Sequence, residues 1–403
     1  MIKEIDKKIY GYALKNAIHY GGKSNSGAVL SALFNEGLEK SKVKEVMPKI
    51  QKVINEISKL NLDEQKKEFE KYSEIISERE VRVGLPELPN AEKGVIMRIA
   101  PSASGPLHVM HGINLSLSFD YVKKYGGKMI VRIEDTNPEN IDKNSYKLIK
   151  EDTNFLTNNE AEIFIQSDRM DLYYSYSASL IEKGKAYVCT CSGDEFREFS
   201  KNQKDCPCRK KNVKENVLDW EKMLNKKGFK EGEAVLRFKS TMSHKNPAMR
   251  DFPLARINET PHPRQKKKYK VWPLMNLSVA TDDMDMKMTH IIRGKDHRDN
   301  SERQKLIFET FKVNFPWTAF LGRTHFKEME LSTSKFRKEI EEGKYSGWGD
   351  PKLPTIQSLK KRGYKPQAFW KMAEHLGLSE VDKIISSKDF FEVLNNFNKE
   401  NKS

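Results

Sequence analysis

The 403-residue sequence predicts an α/β protein built on a doubly wound parallel sheet, preceded by a helical module and interrupted by a small inserted domain. Three observations carry that reading. Apolar residues recur at helical spacing through the first ninety positions, and an apolar run, a helical stretch and a second run between residues 95 and 133 have the length of a βαβ unit. Four cysteines in two tight pairs then fall where the alternation of strand and helix stops.

In the leading segment Ile5, Ile9 and Tyr12, and later Val43, Val46, Ile50, Val53, Ile57 and Leu60, are spaced to share helix faces. Pro86 and Pro89 break this pattern as a linker would, so the helical module is assigned residues 1–93. The first half of the α/β domain, 94–186, reads as strand 95–99, a Pro/Ser/Gly loop, helix 107–124, a Gly126-Gly127 turn, strand 129–133, strand 163–165 and helix 170–183. Doubly wound sheets bind ligands beyond the carboxyl ends of their strands, which is where a nucleotide is expected. Residues 187–265 read as the insertion. The sheet resumes in 266–325 with strands 272–280 and 289–293 and helix 299–311, and 326–403 reads as loop and helix, with Gly377 stopping one helix.

Lys and Arg number 72 against 57 Asp and Glu, a formal charge of +15 that calls for an acidic partner such as nucleic acid. The first eight residues hold no apolar core of a signal peptide, so a cytoplasmic location is expected. The uncharged stretch 99–119 is interrupted by Pro101, Pro106, His108 and His111, and no segment reads as membrane-spanning.

Cys189-Thr190-Cys191 and Cys206-Pro207-Cys208 offer four soft ligands on segments able to fold back on one another, which suits a structural tetrahedral zinc; four ordinary thiols is the plainer alternative. The loop Pro101-Ser102-Ala103-Ser104-Gly105-Pro106 leads into His108 and His111, three residues apart on one helix face, at a helix start that favours anions; a metal half-site or simple packing would use the same pair. Glu330-Leu331-Ser332-Thr333-Ser334-Lys335 is a hydroxyl-rich loop whose Lys335 can act as a mobile point charge on phosphate, or is a solvated helix start. Arg264-Gln265-Lys266-Lys267-Lys268-Tyr269-Lys270 carries five cations in seven positions, a candidate RNA phosphate contact or a solvated face.

Six ordered segments turn these signals into a resemblance: Arg98 to Pro101 with Ser104 to His108, Arg132-Ile133-Glu134-Asp135-Thr136, Pro261-His262-Pro263-Arg264, Arg293-Gly294-Lys295-Asp296-His297, Leu331 to Lys335, and Tyr345-Ser346-Gly347-Trp348. The chain resembles the class I aminoacyl-tRNA synthetases, and among them the archaeal-type glutamyl-tRNA synthetases. The resemblance implies a Rossmann-type catalytic domain, an inserted zinc-containing domain gripping the tRNA acceptor end, and a C-terminal helical domain on the inner corner of the tRNA. It implies glutamate activation by ATP with Mg2+, then transfer to the 3′ end of tRNA(Glu). His108, His111, Gly112 and Lys335 would handle ATP, Arg98, Ser102, Glu134 and Arg293 would hold glutamate, and Cys189, Cys191, Cys206 and Cys208 would hold Zn2+.

Against the family pattern, Met110 stands where a glycine admits adenine, Met275 where a tyrosine lines the glutamate site, and Met284 where a histidine follows Asp282-Asp283. These three are expected to make the pocket more apolar. The family continues into anticodon-reading β-barrels, whereas this sequence stops at Ser403, so a second polypeptide supplying them is one expectation. The alternative function is a tRNA-binding paralogue with an altered or lost activation pocket.

Overall fold

The computed structural model describes residues 4–76 and 84–400, and the chain divides into two units at Val83/Gly84. In the first unit the helical spacing becomes α1 (Ile5–His19), α2 (Ser26–Asn35), α3 (Val43–Ile57) and α4 (Leu62–Phe69). Ile9, Ala13, Leu14 and Ala17 of α1 close on Val29 and Leu33 of α2 and on Val46, Ile50, Val53 and Ile57 of α3. Asn25 caps α2, and Asn61 with Glu64 forms a reciprocal capping box on α4. The buried Gln65 amide donates to the carbonyls of Ile57 (3.0 Å), Gly22 (3.1 Å) and Leu60 (3.2 Å), satisfying loop backbone that water cannot reach.

The second unit opens with β1 (Val95–Ile99), α5 (Val109–Tyr125), β2 (Gly127–Ile133), α6 (Ser145–Leu156), β3 (Glu162–Ile165) and α7 (Met170–Glu182). The three strands pair in parallel in the order β1-β2-β3. Gly127 is required at the turn into β2: its φ is +127°, and a Cβ there would lie 2.0 Å from the Val95 carbonyl oxygen.

The insertion comprises β4 (Ala186–Cys189), α8 (Gly193–Lys201), α9 (Val213–Leu224), β5 (Val235–Phe238), β6 (Pro253–Ile257) and β7 (Val271–Pro273). Its strands form one antiparallel sheet, β4-β5-β6-β7. There follow α10 (Met275–Asp285), β8 (His290–Gly294), α11 (Arg298–Phe311) and β9 (Trp317–Leu321), with β8 and β9 parallel. β8 lies against β1 on the side away from β2, where Thr289 donates to the Ile96 carbonyl (3.1 Å) and its hydroxyl accepts from Ile96 N–H (2.8 Å). The lateral order β3-β2-β1-β8-β9 therefore reverses at β1/β8, which opens a cleft at the carboxyl ends of those two strands.

The chain ends with β10 (Thr324–Phe326), α12 (Thr333–Glu341), α13 (Ile356–Lys361), α14 (Pro366–Leu376), β11 (Lys383–Ile385) and α15 (Ser387–Glu400). α14 packs on α5 and α15, and Phe369, Met372 and Leu394 join Leu115 and Phe119 in one core.

Two expectations are corrected. The strand expected over 272–280 is only Val271–Pro273, paired with the insertion's sheet, and the rest is α10. Residues 276–284 are buried all round, so no polar face marked them as helix. Beyond Phe326 the chain is not only loop and helix, because β11 pairs in parallel with β10 through three residues.

Candidate active site

At the β1/β8 reversal the strand ends deliver arginines into a buried carboxylate cluster. Arg98 on β1 makes a two-pronged contact with Asp283 of α10, Nε at 3.0 Å and Nη2 at 2.9 Å. Arg132 on β2 donates from Nη1 to Asp283 (2.8 Å), and its Nε lies 3.3 Å from Asp282 without aligning as a hydrogen bond. Burial pushes the Asp283 carboxyl up, but Arg98 and Arg132 together hold it down to about 2. Asp282 accepts from Gln166 (3.1 Å), Arg169 (2.8 Å) and Tyr173 (2.8 Å). The Asp-Asp pair thus neutralises the arginines from behind, and Arg98 is tied rather than free, with its Nη1 left for a ligand.

Glu134 and Arg293 face this cluster. Glu134 follows β2, where its N–H donates to the Pro101 carbonyl (2.9 Å) and its carbonyl accepts from Ala103 (3.0 Å), which sets Ser102 beside it. Burial raises the Glu134 carboxyl, against Arg132, Arg98 and Arg293. Arg293 at the end of β8 donates from Nη1 to Gln304 (2.8 Å) and Ser301 (3.2 Å) of α11, while its buried Nε has no partner among the described residues. Burial, then the neighbouring Arg98, lowers Arg293 to about 10. The site therefore sets Arg98 and Arg293 beside Glu134, with the buried Arg293 Nε–H unpaired among the described residues, an arrangement whose chemistry suits a small ligand carrying both carboxylate and amine.

His108 caps α5. Its Nδ1 accepts from His111 N–H (3.3 Å), which leaves the ring proton on Nε2, and the two imidazoles stack with centroids 3.6 Å apart. Burial, then His111, pushes His108 well below its ordinary range, and burial takes His111 to about 4. Both rings are neutral hydrogen-bonding groups at neutral pH rather than cations. The turn that carries them is stitched to the C-terminal segment: Val109 N–H donates to Pro354 (2.8 Å) and Ile356 N–H to Leu107 (2.9 Å). Gly112, expected at ATP, lies one turn into α5 with α13 packed against it. A Cβ there would lie 2.5 Å from Ile356 Cδ1, so a glycine is needed for α13 to pack this closely on α5, and its N–H donates to the His108 carbonyl at 3.0 Å.

His108, Met110, Glu330 and Leu331 line a cavity of about 420 Å3 between α5 and the β10 and β11 region. Lys335 sits exposed at the start of α12 and pairs with Glu330 at 3.2 Å, while Thr333 and Trp348 crowd the missing side chain of Gly105 (2.5 and 2.8 Å), bringing the two loops together. The three methionines do not share one pocket. Met110 is on this cavity wall, Met275 is half-exposed on a groove of about 1360 Å3 lined also by Phe196, Asn276 and Arg303, and Met284 is buried in the core with Leu277, Ala280 and Phe308.

The four cysteine sulfurs lie within 4.8 Å of one another, with Cys189–Cys206 at 3.9 Å and Cys191–Cys208 at 3.7 Å. A tetrahedral zinc with bonds of about 2.3 Å sets sulfurs about 3.8 Å apart, so the donor set fits that ion. The basic loop is less free than its composition implied. Arg264 is paired to Asp168 (2.7 Å) and Lys270 to the carbonyls of Phe229 (2.6 Å) and Asn225 (2.9 Å), whereas Lys267 and Lys268 are exposed.

Sequence reasoning missed the residues that hold the site from behind. Arg132 and Asp283 were visible only as members of motifs, and Gln304 carried no signal. His262 accepts at Nδ1 from Arg264 and Gln265 (both 3.1 Å) and so donates from Nε2 to the Asp135 carbonyl (2.9 Å), fixing the strand end beside Glu134.

A cleft at a strand-order reversal, a helix-capping histidine pair and a lysine-bearing loop opposite define the catalytic domain of a class I tRNA synthetase. The family of class I tRNA synthetases for glutamate and glutamine (E and Q), catalytic domain, matches residues 94–399, and the chain belongs to it. The glutamate–tRNA ligase of Methanocaldococcus jannaschii is 45% identical over 390 residues, covering 96% of this chain and 70% of that protein. That of Pyrococcus abyssi is 44% identical over 393 residues, 95% of this chain and 69% of its own length. Among solved structures, a glutamate tRNA ligase from Elizabethkingia meningosepticum in complex with its amino acid shares the fold at a TM-score of 0.54 and 20% identity, covering 76% of this chain and 69% of that one.

Proposed function

We infer that the chain is a glutamate–tRNA ligase, which activates glutamate with ATP and transfers it to the 3′ end of a glutamate tRNA. The observation that carries this is the buried cluster of Arg98, Arg293 and Glu134 at the strand-order reversal, in a chain 45% identical to an archaeal enzyme of that name. Arg98 Nη1 and Arg293 receive the carboxylates of glutamate, and Ser102 and Glu134 hold its amino end. The Nε2–H of His108 and the ring N–H of His111 donate to the ATP phosphates as charge builds on them, and Lys335, released from Glu330, closes over the leaving pyrophosphate. Mg2+ accompanies the nucleotide. No protein nucleophile is needed, because the glutamate carboxylate itself attacks and the site's work is positioning and charge stabilisation.

The Cys189, Cys191, Cys206 and Cys208 cluster holds a structural Zn2+ that ties the insertion together, and this domain, expected over 187–265 and carried on a sheet that runs from Ala186 to Pro273, receives the acceptor end. The helical region 326–403 lies along the tRNA stem, with 1–93 as a separate helical module and 94–186 and 266–325 as the two catalytic halves. The test is charging of a glutamate tRNA transcript with each of the twenty amino acids. Glutamate alone should be transferred. Transfer of a different amino acid, or of none, contradicts the reading.

A further inference from the structure

The arginines of the site are not held alike. Arg98 and Arg132 share the Asp283 carboxylate, and Arg169 pairs with Asp282 and Asp285. Arg293 forms no ion pair among the described residues: its Nη1 donates to the Gln304 side-chain carbonyl at 2.8 Å and to the Ser301 hydroxyl at 3.2 Å, both neutral groups. The Gln304 amide has one orientation here, because a guanidinium only donates and so takes the oxygen, which leaves Gln304 Nε2 for Asn276 Oδ1 at 3.4 Å. Gln304 is 1% exposed and Ser301 4%.

The helix that supplies these acceptors is rich in acids, yet none of them meets Arg293. In α11 Asp299, Glu302 and Glu309 are exposed, while the buried face is Ser301, Gln304, Ile307 and Phe308. A buried carboxylate on Nη1 would hold the guanidinium as firmly and would cancel its charge. Two neutral oxygens fix the same atom by hydrogen bonds and leave the charge, with a buried Nε–H that has no partner among the described residues, to whatever enters the cleft. Asp283 and Glu134 act on Arg293 through space without pairing to it, and Glu134 is taken up by the amine of the ligand.

We propose that Gln304 is a positioning residue for glutamate: it orients Arg293 from behind without discharging it, so that Arg293 stays a full cation for one carboxylate of the substrate. This rests on the glutamate–tRNA ligase reading, because it takes Arg293 to receive a substrate carboxylate. The two arginines then have different tasks. Arg98, already paired to Asp283, supplies a directed N–H, and Arg293 supplies the unshared charge.

The experiment is tRNA-dependent ATP–pyrophosphate exchange with glutamate by the full chain, for wild type, Gln304→Glu and Gln304→Met, with urea unfolding of each and calorimetric titration of glutamate alongside. Glu keeps the size and the hydrogen bond and adds a negative charge; Met keeps the size and the charge on Arg293 and removes the acceptor. Gln304→Glu should unfold no more easily than Gln304→Met, yet raise KM for glutamate by about tenfold or more, and by more than Gln304→Met does, with KM for ATP unchanged. A residue that merely props the fold gives the opposite order, since Glu restores the contact that Met loses. Glutamine and glutamate α-amide, each lacking one carboxylate, serve as competitors, and the one without the carboxylate that Arg293 receives should inhibit wild type and Gln304→Glu alike. A KM for glutamate in Gln304→Glu within about twofold of wild type, a greater rise in Gln304→Met, or the same weakening for glutamate and both amides overturns the proposal. Should Gln304→Glu not fold, Ser301→Asp brings a carboxylate to the same Nη1 and is judged by the same outcomes. Wild type that binds glutamate with this order of variants yet gives no exchange would overturn the ligase reading and leave the role of Gln304 standing; wild type that neither binds nor exchanges overturns both.

Discussion

The histidines at the head of α5 are neutral because they are buried, and that fixes both what they can do and what they cost. A neutral imidazole offers one ring N–H as a donor in a place where a cation would be unstable. Replacing His111 by Ala removes one such donor and should lower kcat by about 10²- to 10³-fold with a smaller change in KM for ATP, read in steady-state kinetics. The same burial makes the fold acid-sensitive. His111 has a folded pKa near 4 against 6.5 unfolded, so between those values the unfolded chain binds more protons and stability drops as pH falls; above 6.5 the effect is absent. Thermal midpoints should therefore decline from pH 7 to pH 4, less steeply in a His111→Asn variant, and an identical slope would contradict the assignment. Arg98 carries a different liability. Its Asp283 fork is 4% exposed or less, and Arg98→Ala leaves a carboxylate facing Arg132 alone. The expected loss is about 3–5 kcal/mol in urea unfolding, besides any loss of glutamate binding.

At the scale of elements, what was legible followed from periodicity. The β1-α5-β2 unit and the helical character of the leading segment were readable because apolar residues there keep one period and Gly126-Gly127, Pro86 and Pro89 punctuate them, whereas the insertion showed itself by the loss of that alternation and by its cysteines. α10 was not, because burial on every side erases the polar face that distinguishes a helix from a buried strand. β11 is three residues long, below the length at which alternation says anything. Of the site, the residues that would touch ligand announced themselves by type and order. Those behind them did not: Gln304 on α11 sits among charged neighbours and reads as part of a solvated helix face until the fold buries it. The cysteine cluster is where the proposed zinc would matter most. Its four sulfurs end β4 and flank α8, and the hydrophobic cover beneath them is small, with Phe196, Tyr187 and Met242. Chelation should lower the unfolding temperature and release one zinc per chain by metal analysis, and a protein that unfolds identically with and without chelator would refute a structural ion.

Across the whole molecule the excess of cations, +15 over 403 residues, is spread well beyond the cleft and suits a long polyanion. If six to ten phosphates are contacted, tRNA affinity should fall by about 10³- to 10⁵-fold between 50 and 200 mM salt. Lys267→Ala with Lys268→Ala should flatten that slope by about two charges without changing glutamate activation. The cleft is also a long-range construction. β1 and β2 supply Arg98 and Glu134, β8 supplies Arg293 two hundred residues later, roughly, and the segment after Lys335 holds the His108 turn in place. Among the described residues no helix is long and apolar enough to cross a membrane. The most direct test of the account is ATP–pyrophosphate exchange with glutamate in the presence of a glutamate tRNA, beside a Lys335→Ala variant. The account predicts glutamate-dependent exchange that falls by about a hundredfold or more in the variant; exchange in the wild type no faster than in Lys335→Ala would contradict it.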